Sequence, residues 1–154
     1  MLRQIRGPGQ WWLFLKVFAF ATAVPLLFKL RISVLSRVLE RRIVSARARK
    51  ADPARAEQII SYVEIARAMG RPLVGPRCLT RAVTLYYFLR CAGLELSLCF
   101  GAAQSGGRLV EAAGHCWLDK DGEPFLEACD PRENFVPIYW LPDSPLRQRP
   151  MGGS

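Results

Sequence analysis

The segment that decides the fold reads GHCWLDKDGEPFLE and covers residues 114–127. Its first half predicts a β-strand over 111–119, in which side chains point to alternate faces. His115 and Trp117 then lie on one face. A polar turn follows, and then a second extended run begins at Glu123. The pattern predicts a β-hairpin that carries the one histidine of the chain.

The turn decides which residue lies beside that histidine. Lys120-Asp121-Gly122 fits a three-residue loop with glycine in the left-handed conformation, and this loop pairs Asp119 with Glu123. Counting back from that pair, Glu127 lies opposite His115, and paired residues share a face of the sheet. A two-residue loop would turn Glu127 to the opposite face.

A helix is predicted after Pro76, with Cys78 in its first turn and Gly93 as its C-terminal stop. Its apolar positions recur at helical spacing: Leu79, Ala82, Val83, Tyr86 and Leu89. Unpaired backbone N–H groups and the positive end of the helix dipole favour a thiolate there, and Arg77 and Arg81 add positive charge. The sequence therefore predicts a cysteine nucleophile.

Cys78, His115 and Glu127 on separate elements form a nucleophile, a base and a residue that orients the base. The structural alternatives are a small cysteine packed where the helix meets the core, and a histidine packed beside Trp117. The predicted arrangement of these three residues on a helix and two strands covers about fifty residues and favours catalysis over the structural alternatives.

The sequence also resembles a known family, the transglutaminase-like leader peptidases of lasso-peptide biosynthesis, from about Gly75 to Cys129. The resemblance is carried by four motifs: Cys78-Leu79-Thr80-Arg81-Ala82-Val83-Thr84-Leu85, Leu89-Arg90-Cys91-Ala92-Gly93-Leu94, Leu98-Cys99-Phe100-Gly101 and His115-Cys116-Trp117-Leu118-Asp119.

The resemblance implies a cysteine protease that removes the leader from a ribosomally made precursor peptide. The family's cysteine and histidine fall on Cys78 and His115, and its aspartate falls on Glu127, which is a departure. Glutamate reaches one methylene further, so Asp130 is the alternative third member. The implied partners are a separate leader-binding protein and an ATP-using, asparagine-synthetase-like cyclase. No cofactor or metal is expected on this chain, and ATP dependence would come through the cyclase.

The expected fold class is α+β, with N-terminal helices and a transglutaminase- or papain-like core in which the Cys78 helix packs on a small antiparallel sheet. Three segments are predicted: a basic, apolar helical region over 1–70, the catalytic core over 71–141, and a disordered tail over 142–154. Within the core, a strand is predicted over 94–100 and a loop over 101–108.

The N-terminal region carries most of the net charge of +9. Its basic run between Arg31 and Arg55 suits a solvated helix face, an anionic membrane or an acidic partner. Aromatic residues do not interleave with the run, so nucleic acid is the least favoured partner. The apolar segment 11–28 resembles a signal peptide or a short span, but Lys16 and Pro25 favour a helix that packs on the core or touches a membrane. A second helix is predicted near 53–69.

Five cysteines without a CxxC pair cannot all be bridged internally, which favours a reducing cytoplasm. The strand pattern sends Cys116 to the face opposite His115, which argues against a zinc site. Two other functions remain open: an acyl transferase that uses the same three residues, and a non-catalytic, membrane-associated binding module on the same fold.

Overall fold

The computed structural model describes residues 7–27, 43, 51–69, 77–105 and 108–142. The elements are α1 (Pro8–Leu27), α2 (Pro53–Met69), α3 (Arg77–Cys91), β1 (Ser97–Ser105), β2 (Arg108–Lys120), β3 (Glu123–Phe125), a short 3-10 helix (Pro131–Glu133) and β4 (Phe135–Leu141). This order confirms the α+β class. The chain forms two compact units, which we call the helical unit (to Leu96) and the sheet unit (from Ser97). The functional division at residues 70 and 141 stays a prediction.

The helical unit is built from apolar stripes at helical spacing. The buried members are Phe14, Val17, Ala21 and Val24 on α1, Ile59, Tyr62, Val63 and Ala66 on α2, and Ala82, Val83, Leu85, Tyr86 and Leu89 on α3. The rings of Phe14 and Tyr62 meet edge to face, with 5.8 Å between centroids. Each stripe buries one face of its helix. The helix predicted near 53–69 is confirmed as α2.

Gly93 ends α3 as the sequence predicts. It has a φ of 91°, a left-handed conformation that glycine adopts without a steric penalty. The N–H of Leu94 donates to the Leu89 carbonyl at 3.0 Å, and the N–H of Gly93 donates to the Arg90 carbonyl at 3.1 Å. These two bonds form a Schellman motif, which satisfies carbonyls that the helix end leaves unpaired.

The sheet is antiparallel, with strand order β3-β2-β1-β4. The loop predicted over 101–108 is wrong, because β1 continues to Ser105 and β2 already begins at Arg108. The small residues Gly101, Ala102 and Ala103 look unfavourable for a strand, but β1 has a neighbour on each side, and pairing with both outweighs weak strand propensity.

Strand β4 was not predicted from the sequence. Pro137 interrupts its pattern, yet proline is tolerated in this edge strand. The pairing with β1 shifts at this point: Phe100 pairs with Tyr139, whereas Gly101 pairs with Pro137. One residue of β4 is therefore extra, as in a β-bulge.

Several predictions lie outside the described residues. The basic cluster formed by Arg37, Arg41, Arg42, Arg47, Arg49 and Lys50 and the tail over 143–154 belong to this group. Among the described helices, one segment, Pro8–Leu26, has the length and composition of a membrane span, with a mean hydropathy of 1.2. A core helix or a signal sequence passes the same criterion. Membrane contact of this helix and the location of the protein therefore stay predictions.

Candidate active site

His115 lies on β2 opposite Gly101 of β1. Its imidazole is about one quarter exposed and contacts two aromatic rings. The Trp117 ring stacks with it at 5.9 Å between centroids, and the Phe135 ring on β4 lies at 5.1 Å. A side chain added at Gly101 would meet the Trp117 ring at 2.6 Å. Glycine at this position therefore makes room for the indole that supports the imidazole.

Glu127 is the carboxylate beside the imidazole, with Oε2 at 3.2 Å from Nε2 of His115. Both side chains are mostly buried. An ionised carboxylate can only accept hydrogen bonds, so this contact assigns the N–H of a neutral ring to Nε2. The lone pair then resides on Nδ1. This arrangement leaves His115 with one nitrogen held by Glu127 and the other able to accept a proton.

The hairpin that leads to Glu127 differs from the predicted one. Lys120 pairs with Glu123, so the loop has two residues rather than three. Asp121 and Gly122 both have positive φ, at 55° and 95°. These angles are typical of a type I′ turn, for which Asp-Gly is one of the strongest sequence signals. The predicted three-residue loop is wrong, because Lys120 belongs to the strand and Asp121 is the first of two turn residues rather than the second of three.

Glu127 nevertheless contacts His115, for a reason that lies in the backbone of Leu126. Strand β3 ends at Phe125, and Leu126 has a φ of 62°. The alternation of faces therefore stops before Glu127, and the register no longer determines where its side chain points. A leucine in the left-handed region costs about 1–2 kcal/mol. Such local strain is found preferentially at functional sites.

Asp130, the alternative third member, is engaged by Arg132. Its carboxylate oxygens lie 2.7–2.9 Å from the Arg132 guanidinium, and Oδ1 also accepts from the Arg132 backbone N–H. These hydrogen bonds and the ion pair hold the pKa of Asp130 below its usual value. The Arg132 guanidinium also donates to the Gly122 carbonyl and to Glu123. Asp130 and Arg132 therefore hold the hairpin turn, and the carboxylate at His115 is that of Glu127.

Cys78 is the second residue of α3 and is half-buried. It lies in the first turn, where backbone N–H groups lack partners in the helix. Arg81 follows one turn later, and its Nε donates to Glu64 Oε1 of α2 at 2.8 Å. Cys78 belongs to the helical unit, whereas His115 and Glu127 belong to the sheet unit. The catalytic roles of all three stay predictions.

The positions that support the histidine were not predicted from the sequence. Gly101 and Phe135 lie on strands whose extent or existence was not predicted. Arg132 and Leu126 carry no motif that marks their roles. Among these positions, Gly101 alone carries a sequence signal, because a glycine inside a strand often marks a close approach of another group to its backbone.

A family model described as the transglutaminase-like superfamily matches residues 22–140. The match includes Cys78, His115 and Glu127. No curated protein and no solved structure matches the chain. Helices α1, α2 and α3 and the four-stranded antiparallel sheet of the described residues agree with a domain of this kind. The family model covers more than half of the sequence, and the chain belongs to the transglutaminase-like superfamily.

Proposed function

We propose that the chain is a cysteine peptidase that removes the leader from a ribosomally made, lasso-type precursor peptide. The observation that carries the catalytic part is the 3.2 Å contact between His115 Nε2 and Glu127, which leaves Nδ1 to act as a base. Membership of a superfamily that includes cysteine peptidases supports the reaction class. The choice of a lasso-type precursor depends on the motif resemblance around Cys78 and His115.

In the proposed mechanism, Nδ1 of His115 takes the proton from the Cys78 thiol. The sulfur attacks the carbonyl carbon of the scissile peptide bond, and the bond to the leaving amine breaks as the imidazolium returns the proton to that amine. The acyl group then remains on Cys78 as a thioester. Water attacks the thioester while His115 accepts its proton, which releases the acid and restores the thiol.

Glu127 and the start of α3 have supporting roles in this mechanism. The carboxylate fixes the ring tautomer and stabilises the imidazolium that forms in each half-reaction. The backbone N–H of Cys78, at the beginning of α3, is suited to donate to the oxygen that becomes negative. A second donor is required by this chemistry and is left unassigned.

The proposal places the protein in a reducing cytoplasm, where a thiolate enzyme stays active. Its partners are the precursor peptide, a leader-binding protein and an asparagine-synthetase-like cyclase. Peripheral membrane contact through the apolar N-terminal helix is compatible with this assignment. The leader-binding protein is taken to be a separate chain, because a leader-binding module of the small winged-helix type needs strands of its own, and the described part of residues 1–70 contains helices α1 and α2.

The first test concerns the nucleophile. Where the neighbouring genes encode a short precursor and a leader-binding protein, the full chain is incubated with both, and the products are weighed by mass spectrometry. Cys78→Ala should abolish leader cleavage, because alanine supplies no nucleophile, and circular dichroism should show an unchanged fold. Cys129→Ala, which removes an exposed thiol, is the matched control and should cleave normally. Cleavage by Cys78→Ala would refute the mechanism.

The same incubation separates peptidase from acyl transferase. A small primary amine is added, and the mass of the acyl product is measured. A product with the mass of the free acid supports hydrolysis. A product that carries the amine identifies an acyl transferase, in which the amine rather than water resolves the thioester. If the neighbouring genes encode neither a precursor nor a cyclase, the lasso assignment is contradicted. The assignment to the peptidase class does not depend on this observation.

A second test measures whether His115 activates Cys78. Iodoacetamide is applied near neutral pH, and the alkylation rate of each cysteine is followed by peptide mass spectrometry. His115→Ala should slow alkylation of Cys78 by about an order of magnitude, because a thiol without its base is less nucleophilic. The rate at exposed Cys129 serves as the internal control. An unchanged rate at Cys78 would show that the two residues do not act as a pair.

A further inference from the structure

The helical unit contains a cavity of about 470 Å³ that the proposed mechanism does not use. Its wall includes residues of α1, α2 and α3, among them Lys16, Phe20, Arg55, Tyr87, Phe88 and Cys91. The volume suits a small organic ligand or one or two peptide side chains. On α3 the cavity wall begins at Tyr87, nine residues from Cys78, which corresponds to about 14 Å along a helix axis. The cavity is therefore distinct from the thiol site.

One side of the cavity is aromatic. The Phe20 and Tyr87 rings stack nearly parallel, with 4.7 Å between centroids and an interplanar angle of 10°. The Phe88 ring meets both of them edge to face, at 5.6 Å and 5.1 Å. Flat rings in fixed orientations offer a surface for an aromatic or aliphatic group.

The cavity wall also carries two cations, Lys16 on α1 and Arg55 on α2. Both are exposed, and the Lys16 ammonium lies 5.1 Å from the centre of the Trp12 ring. None of the described residues that line the cavity is acidic. Two positive charges beside an apolar wall favour a ligand that combines an anionic group with an apolar body.

The position of Arg55 is unfavourable for the helix itself. The N–H of Arg55 donates to Asp52 Oδ1 at 3.1 Å, which places Arg55 in the capped first turn of α2. That turn contains no acidic residue, and a cation near the positive end of a helix dipole is destabilising. The N–H of Asp52 donates to the Ala92 carbonyl at 3.4 Å, so this turn borders the end of α3 at the cavity.

We propose that this cavity binds an organic anion with an aromatic or aliphatic body. The anionic group pairs with Arg55 and Lys16, and the body packs on Phe20 and Tyr87. Two sources share this chemistry: a free carboxylate of the fatty-acid type, and a peptide segment in which an acidic residue adjoins an aromatic one. The site is independent of the proposed peptidase function, because neither Cys78 nor His115 takes part in it.

Cys91 provides a reporter inside the site, because its thiol lines the cavity and forms no disulfide. The full chain is alkylated with iodoacetamide, and the rate at Cys91 is measured by peptide mass spectrometry. The probes are two matched pairs: octanoate with neutral octanamide, and acetyl-Asp-Phe-amide with neutral acetyl-Asn-Phe-amide. At least one anion should slow alkylation of Cys91 several-fold more than its neutral partner, with the rate at Cys129 unchanged. Protection by octanoate indicates a free carboxylate, and protection by the peptide indicates a peptide segment.

Variants then test the charge. Arg55→Gln should raise the concentration of anion required for half-protection by about tenfold, because it removes a charge-assisted contact. Arg67→Gln, on the same helix but outside the cavity wall, is the matched control and should protect like the wild type. Lys16→Gln repeats the test from α1, and an unchanged Cys91 rate without probe shows that each variant is folded. The proposal is overturned if no anion protects Cys91, if the neutral partners protect equally, or if Arg55→Gln has no effect.

Discussion

The helical unit and the sheet unit hold their candidate catalytic residues in different ways. Cys78 is positioned by a whole helix, because it lies in the first turn of α3, which buries Val83, Leu85 and Leu89 completely. His115 is positioned by individual contacts: two aromatic rings and the Glu127 carboxylate. Disturbing the thiol therefore requires a change in the core, whereas single substitutions in the sheet unit can disturb the imidazole without unfolding the protein.

The largest effect is expected at the carboxylate of the sheet unit. Glu127→Gln should lower peptide turnover by orders of magnitude with little loss of stability, because the amide can present its N–H to the ring and favour the wrong tautomer. A drop on the order of 10⁴ accompanies the corresponding change in a serine protease. The measurement is the turnover number for leader cleavage, together with thermal unfolding of each variant.

Two further variants sharpen that result. Asp130→Asn should keep normal turnover, because Asp130 contacts Arg132 rather than His115. Glu127→Asp retains a carboxylate and should recover part of the activity that glutamine loses. If Asp130→Asn abolished cleavage while Glu127→Gln left it normal, the assignment of the third residue would be wrong.

Elements of the fold could be predicted from the sequence where one short-range signal determines them. The helix over 53–69 and the stop at Gly93 follow from apolar spacing and from the left-handed preference of glycine. The proximity of Glu127 to His115 was also predicted, but from a turn that the structure does not contain. The contact is present and the predicted register is wrong, so agreement on a contact does not establish the path of the backbone that produces it. The catalytic role of Glu127 stays a prediction.

A packing test concerns Gly101, which makes room for the Trp117 indole. Gly101→Ala should lower the free energy of unfolding by about 1–3 kcal/mol, because its new methyl would meet the ring at 2.6 Å. Gly114→Ala is the matched control on the neighbouring strand, where the nearest atom lies at an ordinary 3.4 Å. Urea unfolding of both variants measures the difference. Equal stability of the two variants would show that the close approach of Trp117 to β1 is absent.

A third test addresses the left-handed backbone at Leu126. Leu126→Ile should lower turnover by roughly tenfold, since a β-branched residue tolerates this region less well than leucine and the chain would relax toward an extended path. Leu126→Gly permits the same φ without strain and should stay within a few-fold of the wild type. Steady-state kinetics on both variants distinguishes an effect of the backbone conformation from an effect of the side chain. Greater damage from glycine than from isoleucine would locate the importance of Leu126 in its side chain.

Leu126 also shows why part of the site could not be predicted. A leucine gives no sequence signal for positive φ, since fewer than a few per cent of non-glycine residues adopt it. Strand β4 was missed for a related reason: Pro137 reads as a strand breaker, and only the tertiary position of β4 at the sheet edge makes it acceptable. Both features depend on contacts between distant segments, which local propensity does not encode.

The smallest effect concerns the ion pair that holds the hairpin turn. Hydrogen bonds from Arg132 lower the pKa of Asp130 in the folded protein, so its contribution to stability is present above the unfolded value of about 3.9 and is lost as the pH falls through the folded value. Asp130→Asn should therefore lower the Tm slightly at pH 7, and the difference from the wild type should shrink below pH 4. Glu133→Gln in the same 3-10 helix is the control and should follow the wild type across this range. A deficit for Asp130→Asn that persists unchanged at pH 2 would mean that the cap hydrogen bond to the Arg132 N–H, rather than the charge, stabilises the turn.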